Sequence, residues 1–204
     1  MRIGLDLDGT VVVYDDLIHR EAVAALGMPE DVPPRKTDVR DWIRGTPGGE
    51  QRWVELQARV YGPLMAEARP AAGVAELLEG CASAGVAVSI VSHRTPTSVA
   101  DPSIDLHAAA RRWLERSGLP LGADHVFLEP TRAQKIARIA SEGCVLFVDD
   151  LVEVLADAAF PAGTERWLYA PRDHESADGA IRVFADWSVV LTRVLELREA
   201  AGAR

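Results

Sequence analysis

The chain has 204 residues, enough for one domain of ordinary size with an inserted subdomain, and its 48% apolar and 26% charged residues match a globular protein. The formal net charge is −9 and no long basic run occurs, which argues against nucleic acid and anionic membrane surfaces as general partners. No apolar run approaches the length of a membrane span, and the two cysteines, Cys81 and Cys144, lie outside any CxxC pattern, as expected of small buried residues in a reduced, cytoplasmic protein.

Short apolar runs alternate with helical patterns. This predicts an α/β fold: a Rossmann-like parallel sheet of about five strands with helices on both faces. The first strand, Arg2–Asp6, begins almost at the first residue, so no signal peptide is expected. It leads directly into Asp6-Leu7-Asp8-Gly9-Thr10. Residues i and i+2 of a strand share a face, so Asp6 and Asp8 can meet one substrate or one cation. Two carboxylates this close repel each other and need a cation or a shared proton. An enzyme can give them unequal roles, one as nucleophile and the other as proton carrier. In isolation the same segment also reads as a turn whose aspartates accept backbone N–H bonds.

Residues 15–70 break the rhythm, since they hold no good strand and far exceed a usual βα connection. They read as helices Asp16–Leu26 and Gly49–Tyr61 joined by Pro- and Gly-rich pieces, with Tyr14 at the threshold and Trp42, Trp53 and Tyr61 inside. A small α-helical cap at 15–70, inserted into a core of 1–14 and 71–204, is the expectation; the alternative is a helical decoration on the sheet. Arg40, Trp42, Arg44, Arg52 and Trp53 are candidates to line a substrate pocket there, although the tryptophans equally suit a core. Beyond the insertion come helix Gly73–Ser83, strand Val86–Val91, helix Ile104–Ser117 and strand His125–Leu128. Then follow helix Thr131–Glu142 with a Thr131-to-Gln134 capping box, strand Val145–Val148, strand Arg166–Ala170 and a terminal helix, Asp186–Ala200.

Polar residues recur where these strands end or helices begin: Asp6 with Asp8, Ser92, Lys135, and Asp149 with Asp150. Ligands of open parallel sheets bind outside the carboxyl ends of the strands, so these residues point to one crevice. The charge of Lys135, the hydroxyl of Ser92 and backbone N–H groups near Thr10 and Ser92 suit a phosphoryl group. Four aspartates would repel that group unless a hard cation neutralised them. Mg²⁺ is the expected cofactor, with Asp6, a carbonyl near Asp8, Asp149 and Asp150 as candidate ligands. Thr10, Tyr14, Ser92, His93 and Arg94 are candidate phosphate or substrate contacts. Each has an ordinary alternative: Ser92 or His93 as a loop or cap residue, Lys135 as a solvated helix residue, Asp149-Asp150 as a helix N-cap. His19, His107, His125 and His174 form no metal-spaced cluster and read as structural.

In the order acid pair, hydroxyl, lysine, acid pair, the chain resembles the haloacid dehalogenase (HAD) superfamily of phosphohydrolases. The matching pieces are Asp-Leu-Asp-Gly-Thr at 6–10, Ser92 and Asp149-Asp150 after apolar strands, and Lys135. The resemblance implies that Asp6 attacks phosphorus, that Asp8 protonates the leaving alcohol and then activates water, and that Ser92 and Lys135 hold the phosphoryl group. It also implies Mg²⁺ on Asp149 and Asp150, and a cap at 15–70. An acid at position 8 separates phosphate ester chemistry from carbon–halogen hydrolysis and from persistent aspartyl-phosphates. A phosphotransferase or mutase remains open beside hydrolysis. A phosphoryl-aspartate receiver fits the residue order less well, and Lys36 is the sole candidate for a Schiff-base role. The expected partner is a small phosphorylated metabolite, such as a sugar phosphate or nucleoside monophosphate. The oligomeric state is left open.

Overall fold

A computed structural model describes residues 1–171 and 179–202. In chain order the elements are β1 (Arg2–Leu5), β2 (Val12–Val13), α1 (Asp15–Leu26), α2 (Lys36–Arg44), α3 (Gly49–Tyr61) and β3 (Arg69–Pro70). They continue with α4 (Val74–Ser83), β4 (Ala87–His93), α5 (Leu106–Arg116), β5 (Val126–Glu129) and α6 (Arg132–Ser141). The last are β6 (Leu146–Asp149), α7 (Val152–Leu155), β7 (Glu165–Tyr169), β8 (Ile181–Phe184) and α8 (Trp187–Gly202). They fall into two compact units: Met1–Val12, Pro70–Arg94 and Gly118–Arg204 in the first, Val13–Arg69 and Thr95–Ser117 in the second.

The first unit is built on a six-stranded sheet in the order β5-β4-β1-β6-β7-β8, and every pairing is parallel. The central strands read as nearly unbroken apolar runs because both faces are covered. Phe147 of β6 faces a core with Val91, Ile139 of α6, Leu155 of α7, Phe160 and Leu168. On β7 the neighbouring side chains point the other way. There Trp167 and Tyr169 meet Phe184, at 5.8 and 5.4 Å between ring centroids, and Tyr169 lies 5.0 Å from Trp187 of α8. Helices therefore cover both faces, as expected. The sixth strand, β8, was not expected: Arg182 interrupts a run of only four residues, and its apolar ends Ile181 and Phe184 are buried while Arg182 is exposed.

Close packing at the sheet centre has a specific cause at Gly4. A Cβ there would lie 2.5 and 2.8 Å from the Phe147 ring and 2.9 Å from the Cys144 sulfur, closer than side-chain carbons approach. Cys81 and Cys144 are buried and unbonded, and burial pushes their thiols up to about 11 and about 12. Among the described residues no helix is long and apolar enough to cross a membrane.

The second unit is helical. Leu17, Ile18 and Ala22 of α1, Val39 and Ile43 of α2, and Trp53, Leu56 and Val60 of α3 are buried in it. Helix α2 was not read from the sequence: it follows Pro33-Pro34 and shows only Val39 and Ile43 as an apolar pair four residues apart. Residues 95–117, expected as a core connection, cluster instead with the insertion. Trp113 of α5 is buried and donates its Nε1–H to the Ala68 carbonyl at 2.9 Å. Trp53 is core, and Arg40 and Arg44 are engaged by Asp41 at 2.7 Å and Glu50 at 2.6 Å. Tyr14 packs edge-on against Tyr61 at 4.7 Å, and Lys36 lies over the same ring. His19 reaches the Val32 carbonyl at 2.9 Å, in keeping with a structural role, whereas His174 lies outside the described residues.

Candidate active site

From β1 the chain builds the sheet outward through β4 to β5, then returns to the other side of β1 and continues through β6, β7 and β8. The strand order reverses between β1 and β6, and the crevice at the carboxyl ends of those two strands is where such sheets bind ligands. Asp6 directly follows β1, and its N–H donates to the Val148 carbonyl at 2.8 Å. Asp149 ends β6. The parallel register, with Leu5 opposite Val148, therefore brings Asp6 and Asp149 to the same level of the sheet.

Buried charges are costly unless paired, and most of the buried polar side chains among the described residues are here. Asp6, Thr10, Ser92, Arg94, Lys135 and Asp149 are all buried. Lys135 sits on α6, which Thr131 opens by accepting the Gln134 N–H. Its ammonium donates to Asp6 Oδ1 and to Asp149 Oδ2, each at 2.6 Å. Burial alone would depress Lys135; the charges of Asp6 and Asp149 outweigh it and hold the group above the usual lysine range. Burial pushes the Asp6 carboxyl up, to about 6, against the lowering effect of Lys135 and with Asp149 and Asp8 adding to the rise. Asp149 also accepts the Leu151 N–H at 3.0 Å, which orients its second oxygen. The helix beyond it, Val152–Leu155, has Leu151 at its N-cap and no side-chain cap bond, so the alternative N-cap reading of Asp149-Asp150 does not hold.

Asp6, Asp149 and Asp150 each offer a carboxylate oxygen, all within 4.8 Å of one another. An all-oxygen acidic donor set of this kind suits a hard divalent cation. The fit has a second sign. Gly9 has φ +87°, and a Cβ there would run into the Asp150 carboxylate, so glycine is what lets that acid reach the cluster. The turn around it is closed by the Val11 and Val12 N–H groups on the Leu7 carbonyl at 3.0 and 2.9 Å, and by Gly9 N–H on the Val12 carbonyl at 2.8 Å. Thr10, fully buried in this turn, keeps a hydroxyl without a hydrogen-bond partner among the described residues.

The Asp8 carboxylate is outside the acidic triad. One terminal nitrogen of Arg94 donates to both of its oxygens, each at 2.6 Å. The two acids of the Asp-x-Asp pair thus have separate cations, Lys135 for Asp6 and Arg94 for Asp8. Strand β4 extends further than expected, so Ser92 lies within it, opposite Leu128, instead of directly after it. His93 is exposed at the end of β4 and borders a cavity of about 580 Å³ with Arg132 and Asp157. Tyr14 belongs to the second unit. Sequence reasoning brought Arg94 forward as an anion contact but missed its partner, 86 residues away along the chain.

No protein-family model matches the chain. No curated protein matches it closely enough to count as a relative. Solved structures do match in fold. An HAD family hydrolase from Deinococcus radiodurans, solved with phosphate and sodium bound, has 19% identity over 96% of this chain and 95% of its own, with a TM-score of 0.60. A hydrolase from Pseudomonas syringae has 18% identity over 96% and 98%, with a TM-score of 0.57. CbbY from Rhodobacter sphaeroides, solved with phosphate, has 17% identity over 92% and 94%, with a TM-score of 0.53. The chain therefore has the α/β Rossmann-like fold of the HAD-family hydrolases.

Proposed function

We propose that this protein is a Mg²⁺-dependent phosphatase that hydrolyses a small phosphate monoester, of the sugar phosphate or nucleoside monophosphate class, through an aspartyl-phosphate on Asp6. The observation that carries this reading is the buried cluster in which Lys135 bridges Asp6 and Asp149 at 2.6 Å beside Asp150. Asp6, raised to about 6, is mostly ionised at neutral pH and is a competent nucleophile. Its oxygen attacks phosphorus as the ester P–O bond breaks, and Asp8, which enters this step as the neutral acid with a proton taken from solvent, passes that proton to the departing alkoxide. Water then attacks the aspartyl-phosphate, Asp8 takes up its proton, the bond to Asp6 breaks and inorganic phosphate leaves.

Lys135, the Ser92 hydroxyl and the Thr10 hydroxyl are the groups on this chain suited to the phosphoryl oxygens. His93 and Tyr14 are candidates for the rest of the substrate. A divalent cation on Asp6, Asp149 and Asp150 would supply positive charge beside the transferring group. The second unit, with its helices around 15–69, is the candidate cap. Phosphate in the Deinococcus and Rhodobacter structures supports the substrate class. Two buried free thiols are in keeping with a reducing cytoplasm.

Phosphate release from a panel of phosphorylated metabolites, with Mg²⁺ and with chelator, tests the reading. Wild-type protein should release phosphate only with the metal, Asp6→Asn should be inactive, and Asp8→Asn should lose about 10²–10⁴-fold. Undiminished turnover by Asp6→Asn would overturn the nucleophile assignment.

A further inference from the structure

The two acids of the Asp6-Leu7-Asp8 segment are held by different means. Asp6 is held from α6 by Lys135. Asp8 is held from the end of β4 by Arg94, whose side chain is only 3% exposed while that of Asp8 is 19% exposed. A guanidinium buried to this extent needs hydrogen-bond acceptors, and the two Asp8 oxygens provide them. Both backbones are anchored. The Arg94 N–H donates to the Glu129 carbonyl of β5 at 2.8 Å, and the turn carrying Asp8 is closed by the Gly9-to-Val12 bond. One nitrogen equidistant from both Asp8 oxygens at 2.6 Å directs the carboxyl toward Arg94 and fixes its position.

We infer that Arg94 is a positioning residue for Asp8: it fixes the orientation in which that carboxyl faces the departing alkoxide, and acts on the reaction through Asp8. The inference rests on the phosphatase reading and assigns Arg94 a role other than holding the phosphoryl group. Its consequence is selective. A strongly basic alkoxide needs a proton as it leaves, whereas a weakly basic nitrophenolate leaves without one. A misplaced Asp8 therefore harms alkyl phosphates and spares activated aryl phosphates. Misplacing a reacting group by about 1 Å can cost about 10²-fold.

The test is kcat/KM, which reports phosphoryl transfer to Asp6, for an alkyl phosphate and for 4-nitrophenyl phosphate. Wild type, Arg94→Ala, Arg94→Lys, Asp8→Asn and the double variant Arg94→Ala/Asp8→Asn are compared. The expected result is a loss of about 10²-fold on the alkyl ester by Arg94→Ala, a far smaller loss on the aryl ester, and partial recovery in Arg94→Lys. The double variant should be no slower on the alkyl ester than Asp8→Asn alone, because Arg94 acts through the missing group. It also removes both charges of the pair together and so remains folded if the lone carboxylate unfolds Arg94→Ala. Equal losses on both esters, or a double variant slower than Asp8→Asn, would overturn the inference and make Arg94 a phosphoryl contact. No loss on either ester would reduce the pair to a structural one. If wild type hydrolyses neither ester, the phosphatase reading itself fails and the inference fails with it.

Discussion

Asp6 is a buried carboxyl that shares one ammonium, that of Lys135, with Asp149. Burial is the larger influence, so its carboxyl rests at about 6, against an ordinary value of 3.8. The folded apoprotein binds a proton at Asp6 more tightly than the unfolded chain does, so this group's contribution to stability declines as pH rises from about 4 to about 6. A cation on Asp6 competes with that proton. Calorimetric titration should find Mg²⁺ affinity level above pH 7 and falling below pH 6, by up to about tenfold per unit as the carboxyl protonates. Affinity unchanged between pH 7 and pH 5 would contradict a raised Asp6 carboxyl acting as a ligand.

At the scale of elements, the site depends on β1 lying tightly between β4 and β6. Gly4 is the contact point, and Gly4→Ala must displace the Phe147 ring or the Cys144 sulfur. Chemical denaturation should show a loss of about 1–3 kcal/mol for this substitution, with an unchanged midpoint as the contradicting result. The elements carrying the motifs were legible because the runs before Asp6 and Asp149 are continuously apolar, the run before Ser92 is broken only by Ser89, and the helix bearing Lys135 announces itself with Thr131. Strand β8 and helix α2 were not legible, since each buries only two of its apolar side chains and interposes charge. The attachment of 95–117 to the insertion was hidden as well. It depends on Trp113 reaching the Ala68 carbonyl, a long-range bond that periodicity does not encode. The Arg94–Asp8 pair was hidden for the same reason, although the need of two adjacent acids for cations was evident from the first motif.

Over the whole molecule, a net charge of −9 surrounds a site proposed to take an anion. Local cations must therefore do what overall charge does not: of only two lysines in the chain, Lys135 is the buried one, and Arg94 is its buried counterpart on Asp8. The sheet order creates the crevice at the reversal between β1 and β6, and four separate stretches of the first unit contribute to it: residues 6–10, 92–94, 135 and 149–150. The central claim is that this crevice transfers a phosphoryl group to Asp6. Asp8→Asn mixed with an activated aryl phosphate and Mg²⁺ should still be phosphorylated, since that leaving group needs no proton, and should then stall before water attacks. Rapid acid quench and peptide mass spectrometry should locate a near-stoichiometric phosphoryl group on Asp6, absent in Asp6→Asn/Asp8→Asn. Phosphate release by the wild type with no phosphoryl group trapped on Asp6 would contradict the account.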